Sequence, residues 1–133
     1  MPGSESAFLD LINDYRADNG LGMLTATRSL NIASYNHSLD MSQNNYFSHT
    51  SQNGDSPWDR MAAAGYDDNT NKGENIAAGY PSAQAVFDGW RNSPEHNANM
   101  LNPNFDAIGI GHVDGGHYWT TDFGGVVDAP PSC

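Results

Sequence analysis

The spacing of hydrophobic residues changes along the chain, and this change constrains the fold more than any other feature. Stripes at helical spacing predict helices over about 6–19 and 27–45 and a third helix that begins after Ser82. In the last third, "DAIGIGHV" and "HYWTTDFG" alternate apolar and small or polar residues, and "DGG" between them predicts a hairpin. Pro57 and Ser93 each begin a shorter predicted helix, and "ENIAAG" is a short extended segment. Helices followed by an antiparallel sheet predict an α+β fold.

The length of 133 residues suits one domain with one core. Neither an internal repeat nor a dividing linker is present, so we predict a single domain over 1–133, with linker residues at 1–5 and a tail at 128–133. Trp58, Trp90 and Trp119 are expected to supply large core side chains. The periodic positions predict a buried set that comprises Phe8, Leu11, Ile12, Leu30, Ala33, Val86, Phe87, Trp90, Ile108, Ile110, Trp119 and Phe123.

The charge of the chain excludes some classes of partner. Five basic residues against sixteen acidic ones give a formal net charge of −11, and Lys72 is the one lysine. Nucleic acids and anionic membrane surfaces require a basic footprint, which this chain lacks. No apolar run approaches the length of a membrane span. The start "MPGSES" has neither the charged nor the apolar part of a signal peptide, and we interpret it as an artificial boundary from which a signal has been removed.

Cys133 is the single cysteine and the last residue. It cannot form a disulfide within the chain, and no cysteine pair is present for redox chemistry or zinc. We therefore expect a monomer whose core alone stabilises it, with no cofactor required for folding.

Several catalytic motifs are missing, including HExxH, GxSxG and the phosphate-binding loop. Among the five histidines, His37 lies on a helical apolar stripe and is interpreted as a core residue. His112 and His117 flank the hairpin, where exposure or local packing is the default expectation. His49, in a polar loop, and Glu74, among small and apolar residues, have no such explanation.

The segment "SPEH" raises a separate question about His96. Ser93 and Pro94 are typical of a helix start, and the helix dipole disfavours a protonated imidazole at that end. A neutral imidazole can bind a metal, act as a base or simply hydrogen bond within its own helix–loop junction. Together His49, Glu74 and His96 would make a zinc set with an open position, although their separations in sequence are not a local metal signature.

Several motifs in fixed order resemble one family. "YFSHTSQNGDSPWDRMAAAGY", "GENIA", "GWRNSPEHNANMLNPNFDAIGIG" and "YWTTDFG" are similar to the CAP superfamily (cysteine-rich secretory proteins, antigen 5 and pathogenesis-related 1), in its bacterial SCP-domain branch. The resemblance covers nearly the whole chain. It implies an α–β–α sandwich with a central antiparallel sheet between helical layers, and it implies secretion to the extracellular space.

The resemblance also implies a cleft lined by two histidines and two glutamates, which binds a divalent metal, often zinc, in several members. His49 matches the first histidine and Glu74 the first glutamate. The second glutamate falls on Ser93, with Glu95 nearby, and the second histidine falls on Tyr118, with His117 one residue earlier. In the bacterial branch a histidine in "SPxH" is typical, and His96 matches it. We therefore expect Glu95, Tyr118 and His117 to line the cleft.

Three functions remain open from the sequence. The first is a secreted, non-enzymatic binding module for a lipid, a sterol or another small apolar ligand, or for a protein partner. The second is a metal-dependent hydrolase or peptidase, with a metal-activated water and Glu74 as the base. The third is a structural protein of the cell envelope. An apolar groove would favour the first, and an open metal position beside an acid or base would favour the second.

Overall fold

The computed structural model describes residues 3–66 and 69–128. Within these residues the elements follow in the order α1 (Gly3–Asp18), β1 (Thr25–Ala26), α2 (Arg28–Asn44), α3 (Pro57–Ala63), β2 (Lys72–Ala77), α4 (Ala83–Arg91), α5 (Pro94–Met100), β3 (Ala107–Val113) and β4 (Tyr118–Gly124). None of the helices in these ranges has the length and apolar character needed to cross a bilayer.

The sheet has the order β1-β3-β4-β2. The predicted hairpin is present, because β3 and β4 pair antiparallel. Strand β2 is antiparallel to β4, and Glu74 lies opposite Asp122. The α+β prediction is confirmed with one difference: β1 runs parallel to β3, so the sheet is mixed. Two residues are too few to show alternation in the sequence, which is why β1 was missed.

Helices cover both faces of the sheet. On one face, Ile108, Ile110, Trp119 and Phe123 pack in a cluster with buried side chains of α1, α4 and α5. On the other face, Ala107 packs in a second cluster with side chains of α2 and α3 and with Tyr66. The alternation of β3 thus divides its residues between two helical layers, and the result is the predicted sandwich.

Helix α2 lies directly on the backbone of β3. A Cβ at Gly109 would lie 2.0 Å from the Leu30 carbonyl carbon, and one at Gly111 would lie 2.4 Å from the Tyr35 nitrogen. Ser38 Oγ donates to the Gly111 carbonyl over 2.9 Å. Because Gly109 and Gly111 have no side chains toward α2, the helix approaches β3 closely enough for the Ser38 side chain to bond the strand backbone.

Eleven of the twelve predicted core residues are buried, and Leu11 is partly buried. Trp58 contradicts the prediction, since it is 49% exposed in the first turn of α3.

Helix α1 begins at Gly3, earlier than predicted, so part of the expected linker is helical and Glu5 is buried. Cys133 and most of the predicted tail lie outside the described residues.

Candidate functional site

Glu74 is the centre of a buried ion-pair network. Strand β2 places its carboxylate between the loop before α3 and α3 itself. His49 Nδ1 lies 2.7 Å from Oε2, and Arg60 donates from Nη1 to Oε1 over 2.9 Å and from Nη2 to Oε2 over 3.2 Å. An ionised carboxylate only accepts hydrogen bonds, so His49 carries its proton on Nδ1.

Asp122 is a second carboxyl group beneath Glu74, and it has no exposure to water. Burial would raise the pKa of Glu74, but the hydrogen bonds from His49 and Arg60 and the positive charge of Arg60 outweigh this and hold the pKa at about 2. Burial and the adjacent Glu74 charge raise the pKa of Asp122 well above its ordinary value. The raised pKa favours the protonated form of Asp122 beside ionised Glu74, and the buried Oδ1 of Asp122 has no hydrogen-bond partner among the described residues. Ser34 Oγ donates to the other oxygen, Oδ2, over 3.0 Å.

The imidazole of His49 faces solvent, whereas the backbone of its loop is hydrogen-bonded to side chains of α2 and α3. Its side chain is 51% exposed, and Nε2 has no hydrogen-bond partner among the described residues. The Arg60 guanidinium donates to the His49 carbonyl over 2.5 Å. His37, buried on α2 as expected for a core histidine, donates from Nε2 to the Ser48 carbonyl over 2.8 Å. The partly buried Arg60 and the buried His37 thus fix the loop that presents His49, whose Nε2 faces solvent.

A cavity of about 380 Å³ opens beside this network. We call it the Glu74 cavity, and its lining residues are His49, Pro57, Trp58, Lys72, Gly73, Glu74 and Asn99. Trp58 is thus exposed at the edge of this cavity instead of lying in the core. The low pKa of Glu74 makes it a weak proton acceptor at neutral pH, so the base role that the sequence suggested for Glu74 fits His49 better.

His96 lies beside a second cavity. Ser93 is the N-cap residue of α5, but its hydroxyl makes no capping bond and instead lies 2.8 Å from His96 Nδ1. The ring stacks on Trp90 at 6.1 Å between centroids. Burial and the charge of nearby His49 lower the pKa of His96, so the imidazole is neutral at pH 7, as the sequence led us to expect.

The second cavity has a volume of about 530 Å³ and a mostly apolar lining. Its lining residues are Phe47, Ile76, Ala77, Ala78, Tyr80, Gly89, Trp90, Ser93 and His96. We call it the Phe47 groove, because Phe47 is 54% exposed at its edge. Exposed aromatic rings at the edge of an open apolar groove are typical of a ligand-binding surface.

The structure brings some of the expected site residues together. His49 and Glu74 are in direct contact, whereas His96 lines the other cavity. The residues that line the two cavities do not include Glu95, His117 or Tyr118. Glu95 is exposed on α5, and His117 lies in the hairpin turn beside His112.

A group that sequence reasoning passed over lies at this hairpin. His112, Asp114 and His117 each offer one ligand atom within 4.8 Å of the others, and the group could hold a metal ion. In the described part of the chain, no other three residues of this type lie so close, so His49, Glu74 and His96 do not form such a group. The signal in the sequence was "HVDGGH", in which a tight turn returns the second histidine to the first.

Comparison with curated proteins gives two relatives from Bacillus subtilis strain 168. The chain is 40% identical over 126 residues to the uncharacterized protein YkwD, and 39% identical over 120 residues to the uncharacterized membrane protein YlbC. These matches cover 92% and 90% of this chain but only 49% and 34% of the relatives. The chain thus spans half or less of the length of the curated relatives it matches.

Comparison with solved structures supports the fold. An extracellular protein containing an SCP domain from Bacillus anthracis matches with a TM-score of 0.86 and 34% identity, over 91% of this chain and 40% of that chain. An outer surface protein from Borrelia burgdorferi matches with a TM-score of 0.81 over 90% of both chains, and at 24% identity it shows the fold alone. The model of the cysteine-rich secretory protein family matches residues 9–126. Sequence, fold and family model agree that the chain belongs to the cysteine-rich secretory protein (CAP) family.

Proposed function

We propose that this CAP domain is an extracellular, non-enzymatic binding module that takes a small apolar or lipid-like ligand into the Phe47 groove. The observation that carries the proposal is the groove itself. It is open, mostly apolar and large enough for a small molecule, and Phe47 lies at its edge with half of its side chain in water. A structural protein of the envelope would need no such groove, and the observation therefore favours binding.

The polar side of the same region supports an amphipathic ligand. His96 lines the groove, and its imidazole stays neutral because it is partly buried and near His49. A ligand with an apolar body and one polar end would place the apolar part against Phe47 and Trp90 and the polar end at His96. The apolar lining supplies affinity, and the imidazole fixes orientation.

The cleft metal that the family implies fits this chain in part. Both oxygens of Glu74 are bound by Arg60, whose positive charge opposes a cation there. Glu74 can instead orient His49 through Nδ1, which is the usual arrangement of a carboxylate behind a metal-binding histidine. His49 and His96 would then hold the ion, with Glu74 behind His49, and the ion would give an anionic ligand group a positive partner.

A location outside the cytoplasm is supported by the relatives. The similar Bacillus anthracis protein is described as extracellular, and one Bacillus subtilis relative is described as a membrane protein. We infer that this domain acts at or beyond the cell surface, where a protein partner could present the ligand or compete for the groove.

A binding experiment tests the proposal. A fluorescent fatty acid titrated into the protein should bind, and Phe47→Ala should weaken binding about five-fold or more, because truncating an exposed aromatic anchor removes most of its contact area. Met23→Ala is the matched control, since Met23 is also exposed but does not line the groove. The proposal fails if the wild type does not bind fatty-acid or sterol probes, or if Phe47→Ala and Met23→Ala bind equally well.

One observation favours a hydrolase as a second candidate. A carboxylate-oriented imidazole with an exposed Nε2, beside a cavity, has the geometry of a general base. Hydrolysis of ester or peptide substrates that is lost in His49→Ala, while fatty-acid binding is retained, would support this candidate over the binding module.

A further inference from the structure

The β3–β4 hairpin brings two imidazoles and a carboxylate together outside both cavities. His112 Nε2 lies 3.3 Å from His117 Nδ1 and 3.6 Å from Asp114 Oδ1. Two nitrogens bound to one tetrahedral zinc at about 2.0–2.1 Å are themselves roughly 3.3 Å apart. The pair of nitrogens therefore already has the separation that a shared ion requires.

We propose that His112, Asp114 and His117 form a zinc-binding site at the tip of the hairpin, separate from the cleft. Two imidazoles and one carboxylate are a donor set that zinc prefers, and Ca²⁺ and Mg²⁺, which take oxygen ligands, should not bind. Three protein ligands leave one position of a tetrahedron for water, and Asp114, at 90% exposure, is on the solvent side.

Neighbouring side chains hold the His112 ring in place, so His112 would be the ligand that does not move when an ion binds. Its ring stacks on buried Trp119 at 4.0 Å between centroids, and Ser4 Oγ lies 3.0 Å from its Nδ1. The serine hydroxyl can accept the Nδ1 proton, which leaves the lone pair on Nε2, toward His117. In known metal sites, a hydrogen bond from the ring nitrogen that does not bind the metal fixes the orientation of the histidine.

His117 is the ligand that must adjust. The ring planes of His112 and His117 are 17° apart and the centroids 5.6 Å apart, so the two rings meet edge to edge around a shared proton. A metal replaces that proton, and His117 then carries its proton on Nε2 while its ring tilts. His117 lies in a turn at φ 50°, a left-handed conformation in which a residue other than glycine is uncommon, and this conformation places the ring beside His112.

The site would connect three parts of the chain. The Gly79 N–H bonds the Gly116 and His117 carbonyls, at 3.0 and 3.1 Å, and Ser4 belongs to the first turn of α1. Zinc bound at the hairpin would thus stabilise the turn, the segment after β2 and the start of α1 together. The net charge of −11 adds a general attraction for cations.

Zinc titration of the whole protein, by calorimetry, tests the site. His117→Asn is the main variant, since asparagine tolerates the left-handed backbone and removes the imidazole. We expect zinc affinity to fall about ten-fold or more in His117→Asn and in Asp114→Ala, and to fall in Ser4→Ala by a smaller factor. The visible absorption of bound Co²⁺ should be lost in His117→Asn, and zinc should raise the melting temperature of the wild type but not of this variant.

His49→Ala separates this site from the cleft. His49→Ala removes an ion that the cleft would hold through His49, so the hairpin is tested alone in this background. There the protein should still bind zinc and give a Co²⁺ spectrum, and adding His117→Asn should remove both. The proposal is overturned if the wild type shows no zinc binding, if His117→Asn and Asp114→Ala bind zinc as well as the wild type, or if His49→Ala alone abolishes binding. Circular dichroism and the zinc-free melting temperature of each variant establish that it is folded.

Discussion

Asp122 and Glu74 show how one residue sets the charge of another. Both are buried at opposed positions of β4 and β2, and two negative charges so close together in a dry site repel strongly. Arg60 and His49 both bond Glu74, so Glu74 keeps its charge, and this charge together with burial raises the pKa of Asp122. The cavity beside His49 therefore has a negative group beneath it at neutral pH, already balanced by Arg60.

Replacing Asp122 by Asn should stabilise the protein at pH 7. Between the ordinary and the raised pKa of Asp122 the wild type takes up a proton there on folding, whereas an asparagine amide is neutral in both states and takes up none. Because the folded pKa of Asp122 is raised, its contribution is favourable below the ordinary pKa of 3.8 and is lost as pH rises through the folded value. We expect Asp122→Asn to be more stable than the wild type at pH 7, and we expect this gain to disappear below about pH 4, where Asp122 is protonated in both the folded and the unfolded state.

Urea unfolding at a series of pH values checks this expectation. Asp10→Asn, at an exposed position of α1, should change stability by less than about 0.5 kcal/mol at every pH. A pH-independent loss of stability in Asp122→Asn would show that Asp122 is not the protonated partner.

Glu74→Gln should have the opposite pH dependence. The pKa of Glu74 is lowered from 4.5 to about 2, so its stabilising contribution is complete above 4.5 and is lost as pH falls through about 2. We expect Glu74→Gln to be less stable than the wild type by about 3 kcal/mol at pH 7, since Arg60 loses a buried partner, and to be about equally stable near pH 2. Denaturant midpoints of the two proteins measured between pH 7 and pH 2 should converge, and a constant difference would contradict the assignment.

At the scale of elements, local signals in the sequence predicted most of the structure. The helical stripes, Pro57 and the cap at Ser82 predicted α1–α4 within a few residues, and "DGG" predicted the hairpin. The direct contact of His49 with Glu74 came from the family resemblance, because 25 residues separate them in sequence. The group His112, Asp114 and His117 was missed because exposure or local packing explains each residue by itself. Only the geometry of the turn brings the three together.

Gly109 is the position at which the contact between α2 and β3 can be tested. A methyl group there would overlap the Leu30 backbone, and neither the helix nor the central strand can move without disturbing its neighbours. We expect Gly109→Ala to lower the free energy of unfolding by about 3 kcal/mol or more. Gly22→Ala is the control, since nothing lies within 4 Å of its Cβ position, and thermal unfolding of both should show a loss only in the first.

At the scale of the whole molecule, stability has to come from packing. One cysteine at the end of the chain allows no internal disulfide, so we expect the melting temperature of the monomer to be the same with and without dithiothreitol. A clear drop under reductant, measured on the monomer, would contradict this. A reducible dimer through Cys133 at high protein concentration would leave the expectation intact.

The strand order has a consequence for how the chain folds. Only β3 and β4 are neighbours both in the described sheet and in the sequence, while β1 pairs with a strand about eighty residues later and β2 with one more than forty residues later. Chain closure over such distances is slow, so we expect refolding on the order of milliseconds to seconds instead of microseconds. During synthesis, the hairpin is the last part of the described sheet to emerge, and until then β1 and β2 have no partners. The segments that precede the hairpin must therefore stay unfolded, or be kept from aggregating, until the hairpin completes the described sheet.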